Sequence, residues 1–300
     1  MITPRILATA LLAGFGAHAE ATIDIQFDYS YDSSGFLSDG DRRSALDAAA
    51  NLFERRFSDQ FTAINSTGSN SFDTVFFNPG NPSGANVVHH DASLGENVIR
   101  VYAGGYHYND DTLGEGGPGG YSCSGIGSFC SDATRRGQGP VNGASAVDVA
   151  PWGGSIVFDT DTNWHFGTTT SGLGASEYDF YSVAVHELAH VLGFATSDAF
   201  DNRIVGSDFV GPAAGTVVLN ENLDHWAEGT LTTYRGAIEE AAMTGTLASG
   251  TRKHFTELDF AAMEDIGWQV TPVPEAGTWA MMLSGLALVG GVARRRAPRR

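Results

Sequence analysis

The chain has 300 residues, of which 42% are hydrophobic, so it can build one large domain or two small ones around a real core. It carries 35 Asp and Glu against 17 Lys and Arg, and six of those basic residues lie near the two ends. Because nucleic-acid phosphates are bound by Lys and Arg, the acidic middle excludes a nucleic-acid partner. The excess acid is expected to serve solubility or salt tolerance.

The first 19 residues have the composition of a secretory signal peptide. Arg5 provides positive charge, residues 6–15 are mostly apolar but too short to span a membrane stably, and Ala17-His18-Ala19 forms a small-x-small cleavage site. The alternative is a short buried N-terminal segment. We predict cleavage before Glu20 and a mature domain over residues 20–272, outside the cytoplasm.

The middle of the chain predicts a mixed α+β domain. Strand-like alternation or Val and Ile enrichment marks residues 22–29, 97–102 and 155–159. Residues 41–57 are expected to form a helix that buries one apolar face, made of Leu46, Ala49, Phe53 and Phe57. A last helix is predicted over residues 257–266, with Leu258, Ala261, Ala262 and Ile266 on its apolar side.

A glycine-rich segment over residues 104–143 is predicted to be a long loop. It holds 12 glycines and both cysteines of the chain, Cys123 and Cys130. An even cysteine count in an oxidising compartment favours a disulfide. The alternative is a free thiol that blocks a metal site. Asp110 and Asp111 could bind calcium, but their spacing matches no complete calcium motif and favours a solvated turn.

The sequence "HELAHVLGFATSD" predicts a metal-binding helix over residues 178–192, opened near Ser176 and ended by Gly193. His186 and His190 are four residues apart, so they share one helix face and can bind one zinc ion. Glu187 can take a proton from a water that the metal activates. A pair of surface histidines is the alternative interpretation.

A catalytic zinc needs a third protein ligand. In the common H-E-x-x-H-x-x-G-x-x-H pattern it follows three residues after the glycine, where this chain has Thr196, a poor zinc ligand. The residues alone leave several downstream candidates open: Asp198, Asp201, Asp224, His225 and His254.

The segment "GGSIVFDTDTNWHFG", residues 153–167, followed by the His-Glu helix, resembles the strand and active helix of metzincin proteases. In that family the strand lies at the cleft edge and pairs with an extended substrate. His165 in this segment could be a ligand or a substrate contact, although a structural surface histidine is the simpler interpretation.

The downstream order resembles leishmanolysin-like metzincins. His225-Trp226 is followed by Met243-Thr244-Gly245 and then by "EDIGW", residues 264–268. The resemblance implies that His225 is the third ligand and that Met243 forms an apolar floor beneath the ligands, the Met-turn. It also implies a zincin-like fold with a mixed twisted sheet, an active-site helix and a loop-rich C-terminal subdomain.

The C-terminal 28 residues resemble the PEP-CTERM sorting signals of Gram-negative bacteria. Val273-Pro-Glu-Ala276 precedes an uncharged apolar stretch, residues 278–293, and a cluster of arginines. Ala276 stands where the family pattern has a second Pro. The resemblance implies transient membrane association through residues 278–293 and removal of residues 273–300 by a sorting enzyme. It also implies a location in the cell envelope or extracellular matrix.

Together these features predict a secreted zinc endopeptidase that acts on protein or peptide substrates with Glu187 as general base. Two alternatives are a zinc-stabilised surface or matrix binding protein and a matrix protein that has lost its activity. The intact Glu187 argues against both, because a structural zinc site needs no base and closes its fourth position with a protein ligand.

Overall fold

The computed structural model describes residues 23–272, so the predicted signal peptide and sorting tail lie outside the described residues. None of the helices within residues 23–272 has the length and apolar character needed to cross a membrane. The described residues form five α-helices: α1 (Gly40–Glu54), α2 (Phe129–Arg135), α3 (Phe180–Val191), α4 (Asp198–Asp201) and α5 (Glu257–Asp265). Two short 3-10 helices cover Phe36–Ser38 and Gly143–Ser145.

Fourteen short strands account for the sheets of the described residues. In chain order they are β1 (Asp24–Asp28), β2 (Ser71–Phe76), β3 (Val87–His89), β4 (Val98–Tyr106), β5 (Gly114–Pro118), β6 (Gly120–Ser124), β7 (Gly153–Asp159), β8 (Trp164–His165), β9 (Tyr178–Asp179), β10 (Ile204–Val205), β11 (Asp208–Gly211), β12 (Gly215–Val218), β13 (Leu231–Tyr234) and β14 (Ala237–Glu240).

The central sheet has four strands in the order β1-β4-β7-β5. The first three strands are parallel, with Asp24 opposite Val98 and Arg100 opposite Gly153, and β5 pairs antiparallel with β7. All seven residues of β7 are buried, as expected for an interior strand covered on both faces. The sheet is therefore mixed, as predicted.

Helices α1 and α3 pack together on one face of the central sheet. The predicted apolar face of α1 is confirmed, because Leu46, Ala49 and Phe53 are fully buried and Phe57 is buried just beyond the helix end. These side chains share one core cluster with Ile99, Val101, Ile156 and Phe158 of the sheet and with Phe180, Val185 and Leu188 of α3. The helix that carries the candidate ligands is thus held against a rigid layer.

The prediction of a long loop over residues 104–143 is wrong. This segment contains the end of β4 and the whole of β5, β6 and α2. β6 pairs with β2 in a second sheet of order β3-β2-β6. Glycine in a strand often marks a place where another backbone approaches closely, and that is the case where β5 meets α3.

The edge strand of the central sheet that lines the cleft is β5, not the strand of residues 153–159. The resemblance implied that the latter strand lines the cleft, but β7 is paired on both sides, by β4 and by β5. The interior position of β7 follows from its unbroken apolar sequence, whereas β5 has the sequence Gly-Glu-Gly-Gly-Pro. Its Pro118 suits an edge, where one side of the strand needs no ladder bonds.

The part of the chain after α3 contains more regular structure than the predicted loop-rich subdomain. β10, β11 and β12 form one antiparallel sheet, and β13 and β14 form a hairpin. In α5 the buried residues are Asp259, Phe260, Ala262, Met263 and Asp265, so the predicted face with Leu258 and Ala261 is rotated. The rotation accompanies Asp259, which turns inward to accept hydrogen bonds from the chain around it.

A disulfide joins Cys123 of β6 to Cys130 of α2, with their Cα atoms 5.7 Å apart. In the chain-entropy model a loop this short contributes about 2–3 kcal/mol by restricting the unfolded chain. We expect Cys123→Ser with Cys130→Ser to lower the free energy of unfolding by about that amount. Mass spectrometry without reduction should show the two peptides linked in secreted protein, and free thiols there would contradict the pairing.

Candidate metal centre and active site

Three histidines converge at the floor of a cleft. The Nε2 atom of His186 lies 3.0 Å from that of His225, and the Nε2 of His190 lies 3.2 Å from each of the other two. His186 and His190 come from neighbouring turns of α3, and His225 comes from the segment before β13. Within residues 23–272 no other group of three His, Cys, Asp or Glu side chains approaches as closely.

The other ring nitrogen of each histidine faces an oxygen. The Nδ1 of His186 donates to the carbonyl of Ala242 at 2.9 Å, and that of His190 donates to the carbonyl of Phe194 at 3.0 Å. The Nδ1 of His225 donates to the carboxylate of Asp224 at 2.7 Å. A neutral imidazole has one proton, so all three Nε2 atoms are left with lone pairs that point at one another.

Three converging lone pairs repel each other unless a cation lies between them. Nitrogen ligands of one tetrahedral zinc ion, each about 2.0–2.1 Å from the metal, are separated by about 3.3 Å. The separations of the Nε2 atoms are within a few tenths of an ångström of that value. The donor set therefore fits zinc, and the Nδ1 bonds are the partners that usually orient histidine ligands.

Burial keeps two of these imidazoles in the form that binds metal. It lowers the pKa of His190 to about 4, and the nearby His225 acts in the same direction. Burial and the neighbouring His190 and His225 also lower the pKa of His186 well below its usual value. Both side chains are thus uncharged at neutral pH, as metal coordination requires.

The segment Ala241–Thr244 supports two of the three histidines. The carbonyl of Ala242 orients His186, while Trp226, next to His225, donates its backbone N–H to the carbonyl of Met243 at 2.9 Å. Met243 is fully buried, as the Met-turn interpretation requires. Its side chain occupies the same core cluster as α3.

Asp259 is a positioning residue that the sequence analysis missed. Its fully buried carboxylate accepts hydrogen bonds from Trp226 Nε1 at 2.9 Å and from the backbone N–H groups of Ala242 at 3.1 Å and Met243 at 3.3 Å. It also forms the capping box of α5 with Thr256. One carboxylate thus ties the start of the last helix to both segments that orient the histidines. The spacing of Thr256 and Asp259, which is that of a capping box, was the signal available in the sequence.

Glu187 lies beside the three histidines at the wall of the same cleft and is only 8% exposed. Burial and the neighbouring Glu115 raise its pKa to about 8, while the backbone N–H of Gly116 acts in the opposite direction. A bound divalent cation would favour the ionised form, because it is the largest local charge in such a site. The side chain is thus a buried carboxyl group beside the candidate metal position.

Glycines of β5 allow this strand to lie directly against α3. A Cβ atom at Gly116 would be 2.4 Å from the backbone oxygen of Glu187 and 2.8 Å from its Cβ. At Gly114 the nearest atom would be Cγ1 of Val183, at 3.0 Å. Contacts below 3 Å with backbone atoms require one of the two elements to move, so glycine at position 116 fixes where Glu187 stands.

We expect Gly116→Ala to displace α3 from β5 and to lower the free energy of unfolding by about 1–3 kcal/mol, the usual cost of overpacking. Gly117→Ala is the matched control, because a Cβ atom there meets nothing within 4 Å. Urea unfolding of the two variants measures the difference. Equal stability of both would show that the contact between β5 and α3 is looser than described.

The other candidate third ligands lie away from the three Nε2 atoms. Asp198 begins α4 and accepts a hydrogen bond from the backbone N–H of Gly143, and Asp201 ends the same helix. His254 binds Glu239 at 2.7 Å and stacks on Tyr234. Asp224 contacts the cluster only as the partner of His225 Nδ1.

Thr196 and His165 are engaged in local contacts. The hydroxyl of Thr196 donates to the carbonyl of His190 at 2.6 Å, so the position of the usual third ligand helps to end the helix instead. His165 Nε2 contacts the carbonyl of Thr169 at 3.0 Å, which fits the structural interpretation. Asp110 accepts a hydrogen bond from the backbone N–H of Thr112, the arrangement of a turn.

The helix end is fixed by two further features. Gly193 has a φ of 108°, a value that favours glycine, and it ends α3 as predicted. Trp268, the aromatic residue of the "EDIGW" segment, donates from Nε1 to the carbonyl of Leu192 at 2.9 Å and stacks on Phe57. The helix begins at Phe180 rather than near Ser176, and its N-cap is Asp179, which accepts from the backbone N–H of Ser182 and binds Arg252 at 2.6 Å.

The cleft above the histidines has a volume of about 950 Å³. It is lined by residues 111–116, which lead into β5 and include its first three residues, and also by Ala242, residues 244–247 and Lys253. A site of this size can hold several residues of an extended peptide. The three histidines and Glu187 therefore line an open cleft rather than a closed metal site.

Comparison with known families gives two matches. The model of the matrixin family matches residues 132–205, which include His186, Glu187 and His190 but end before His225 and Met243. The PEP-CTERM protein-sorting motif matches residues 272–297. No curated protein matches the chain.

The matrixin match indicates a zinc metalloprotease, and the mixed α/β architecture is consistent with a matrixin-type domain. The second match confirms the predicted sorting motif and indicates export to the envelope or exterior of a Gram-negative cell.

Proposed function

We propose that this chain is a secreted zinc endopeptidase in which His186, His190 and His225 hold the metal and Glu187 is the general base. The observation that carries the proposal is the set of three Nε2 lone pairs, 3.0–3.2 Å apart, beside a buried carboxylate in one open cleft. Zinc bound there would activate a water molecule and polarise a peptide carbonyl.

The chain's own residues then have defined tasks. Glu187 takes a proton from the attacking water and delivers it to the departing amine, the general acid and base work that a carboxylate at this position can do. The free edge of β5 offers backbone groups for an extended peptide. Protein or peptide substrates are therefore the class we propose.

The leishmanolysin-like arrangement is part of the proposal. It assigns His225 as third ligand and Met243 as the floor of the site. The contacts of Trp226 with Met243, and of both with Asp259, support this assignment because they link the two segments directly. The catalytic domain would span residues 20–272, between a removed signal peptide and a tail that a sorting enzyme cuts.

A protease assay with and without chelator tests this function. The zinc-loaded full chain should cleave a mixed peptide library, lose that activity with 1,10-phenanthroline and regain it with added zinc. The 1,7-isomer, which cannot chelate, is the matched control. Retained zinc without cleavage of any peptide would favour the alternative of a zinc-stabilised surface or matrix binding protein.

A further inference from the structure

Lys253 is the single lysine of the chain, and it lies at the candidate active site. Its side chain is 11% exposed and lines the same cleft as the three histidines and Glu187. Lysine is rarely buried to this extent unless its ammonium group is paired. A largely buried lysine contributes little to solubility, so we expect a role of Lys253 in the cleft.

The contacts of Lys253 fix its ammonium group at one end of the cleft. Its backbone N–H donates to the hydroxyl of Ser182 on α3 at 2.9 Å. Its Nζ donates to the hydroxyl of Thr244 and the carbonyl of Thr246, and lies 3.1 Å from the carboxylate of Glu240. Thr244 and Thr246 also line the cleft, whereas Glu240 does not. The positive charge thus faces the cleft while its acidic partner lies behind it.

The remaining charged side chains along the cleft are acidic. Besides the histidines they are Asp111, Glu115, Glu187 and Asp224, so Lys253 is the one lysine or arginine among the described residues that line it. A substrate carboxylate is repelled along most of this surface and attracted at one place. Such a charge pattern selects substrates by the position of their acidic residue. A carboxylate elsewhere in the cleft is repelled, and a carboxylate beside Lys253 is attracted.

The geometry of β5 shows which substrate residue meets Lys253. Gly116 lies next to Glu187, and Gly114 lies next to Val183, one helical turn earlier. Lys253 binds Ser182, so it lies at the Gly114 end of the strand. A peptide added to the free edge in the more stable antiparallel direction runs from Pro118 toward Gly114. Its residues on the carboxyl side of the reacting bond therefore pass Lys253.

We infer that Lys253 is a specificity-determining residue that selects substrates with Asp or Glu immediately after the hydrolysed bond. This inference rests on the proposed endopeptidase function. Successive side chains of an extended peptide point to opposite sides, so only one of the first two residues after the bond can face Lys253, and the inference assigns the first. A substrate carboxylate would replace the carbonyl of Thr246 as an acceptor for the Lys253 ammonium group. The bond to the charged carboxylate is stronger than the bond to the neutral carbonyl.

Cleavage of a peptide library by the zinc-loaded full chain tests the inference. The new amino termini are identified by mass spectrometry, and kcat/KM is then measured for matched peptides with Asp, Asn or Leu after the hydrolysed bond. The wild-type chain should favour Asp over Asn and Leu. In Lys253→Met the ratio of kcat/KM for the Asp peptide to that for the Asn peptide should fall by about 10- to 100-fold, the loss expected for a hydrogen bond to a charged group.

Glu240→Gln should change the preference in the opposite direction. Lys253 and the backbone N–H of Gly229 bond to different oxygens of the Glu240 carboxylate, so the single amide oxygen keeps one of these two bonds and the amide no longer neutralises the ammonium charge. The ratio of kcat/KM for the Asp peptide to that for the Asn peptide should therefore rise. A purely structural role of the Lys253–Glu240 pair would instead make both variants lose activity equally on all peptides. Arg55→Met and Glu96→Gln, both at exposed positions outside the cleft, are the matched controls.

The outcomes separate the inference from the function on which it rests. Cleavage with an apolar preference at this position, unchanged in Lys253→Met, would overturn the inference and leave the endopeptidase intact. The absence of cleavage of any peptide by zinc-loaded protein would overturn both. If Lys253→Met does not fold, the direction of the change in Glu240→Gln decides, and an unchanged or smaller ratio there would overturn the inference.

Discussion

Glu187→Gln is expected to abolish peptide hydrolysis and to leave zinc binding intact. The carboxylate is proposed to move a proton, whereas the three Nε2 atoms that face the metal position belong to histidines. Loss of a general base lowers kcat by about 10²- to 10⁴-fold, and glutamine keeps the size of the side chain. Steady-state kinetics on one peptide and metal analysis of the same sample measure both properties.

The control for this variant is Glu221→Gln, since Glu221 is exposed and does not line the cleft. It should have the kinetics and the zinc content of the wild-type chain. Near-normal activity of Glu187→Gln would remove Glu187 from the mechanism. Zinc lost together with activity would instead indicate that Glu187 is a ligand.

His225→Ala is expected to weaken zinc binding by well over 100-fold. Loss of a residue that only orients a ligand already costs about 10- to 100-fold, and His225 is proposed to be a ligand itself. Asp224→Ala should fall in that intermediate range, because Asp224 orients the His225 ring through Nδ1. Titration with zinc against a competing chelator gives the three affinities on one scale.

Asp198→Ala is the decisive control, because Asp198 was the nearest acidic candidate in the sequence. Its carboxylate is engaged with the backbone of Gly143, so its removal should leave the zinc affinity nearly unchanged. Tight zinc binding by His225→Ala together with weak binding by Asp198→Ala would reverse the assignment of the third ligand. The leishmanolysin-like interpretation would then be wrong.

Local patterns in the sequence predicted the elements that depend on local physics. The four-residue spacing of His186 and His190 places both on one helix face, and the apolar spacing from Leu46 to Phe57 marks the buried side of α1. Gly193 ends α3 because the chain needs a positive φ there. These features follow from helix periodicity and from the freedom of glycine, which a single sequence displays.

Features that depend on pairing between distant segments were not predictable in the same way. The glycines of β5 have the composition of a loop, and only the approach of α3 explains why a strand there requires them. Asp259 was placed in a helix correctly, but its partners Trp226 and Ala242 are far away in sequence. The position of β5 at the sheet edge likewise follows from β7 being paired on both sides.

The hydrogen bonds to the Asp259 carboxylate set the order in which the site can be assembled. His225 and the segment from Ala242 to Met243 are oriented by a carboxylate only 13 residues before the end of the described domain, at 272. A chain that emerges from a membrane with its N-terminus first must therefore deliver almost the whole domain before its histidines are fixed. For the proposed endopeptidase, cleavage activity would thereby begin only when export of the domain is nearly complete.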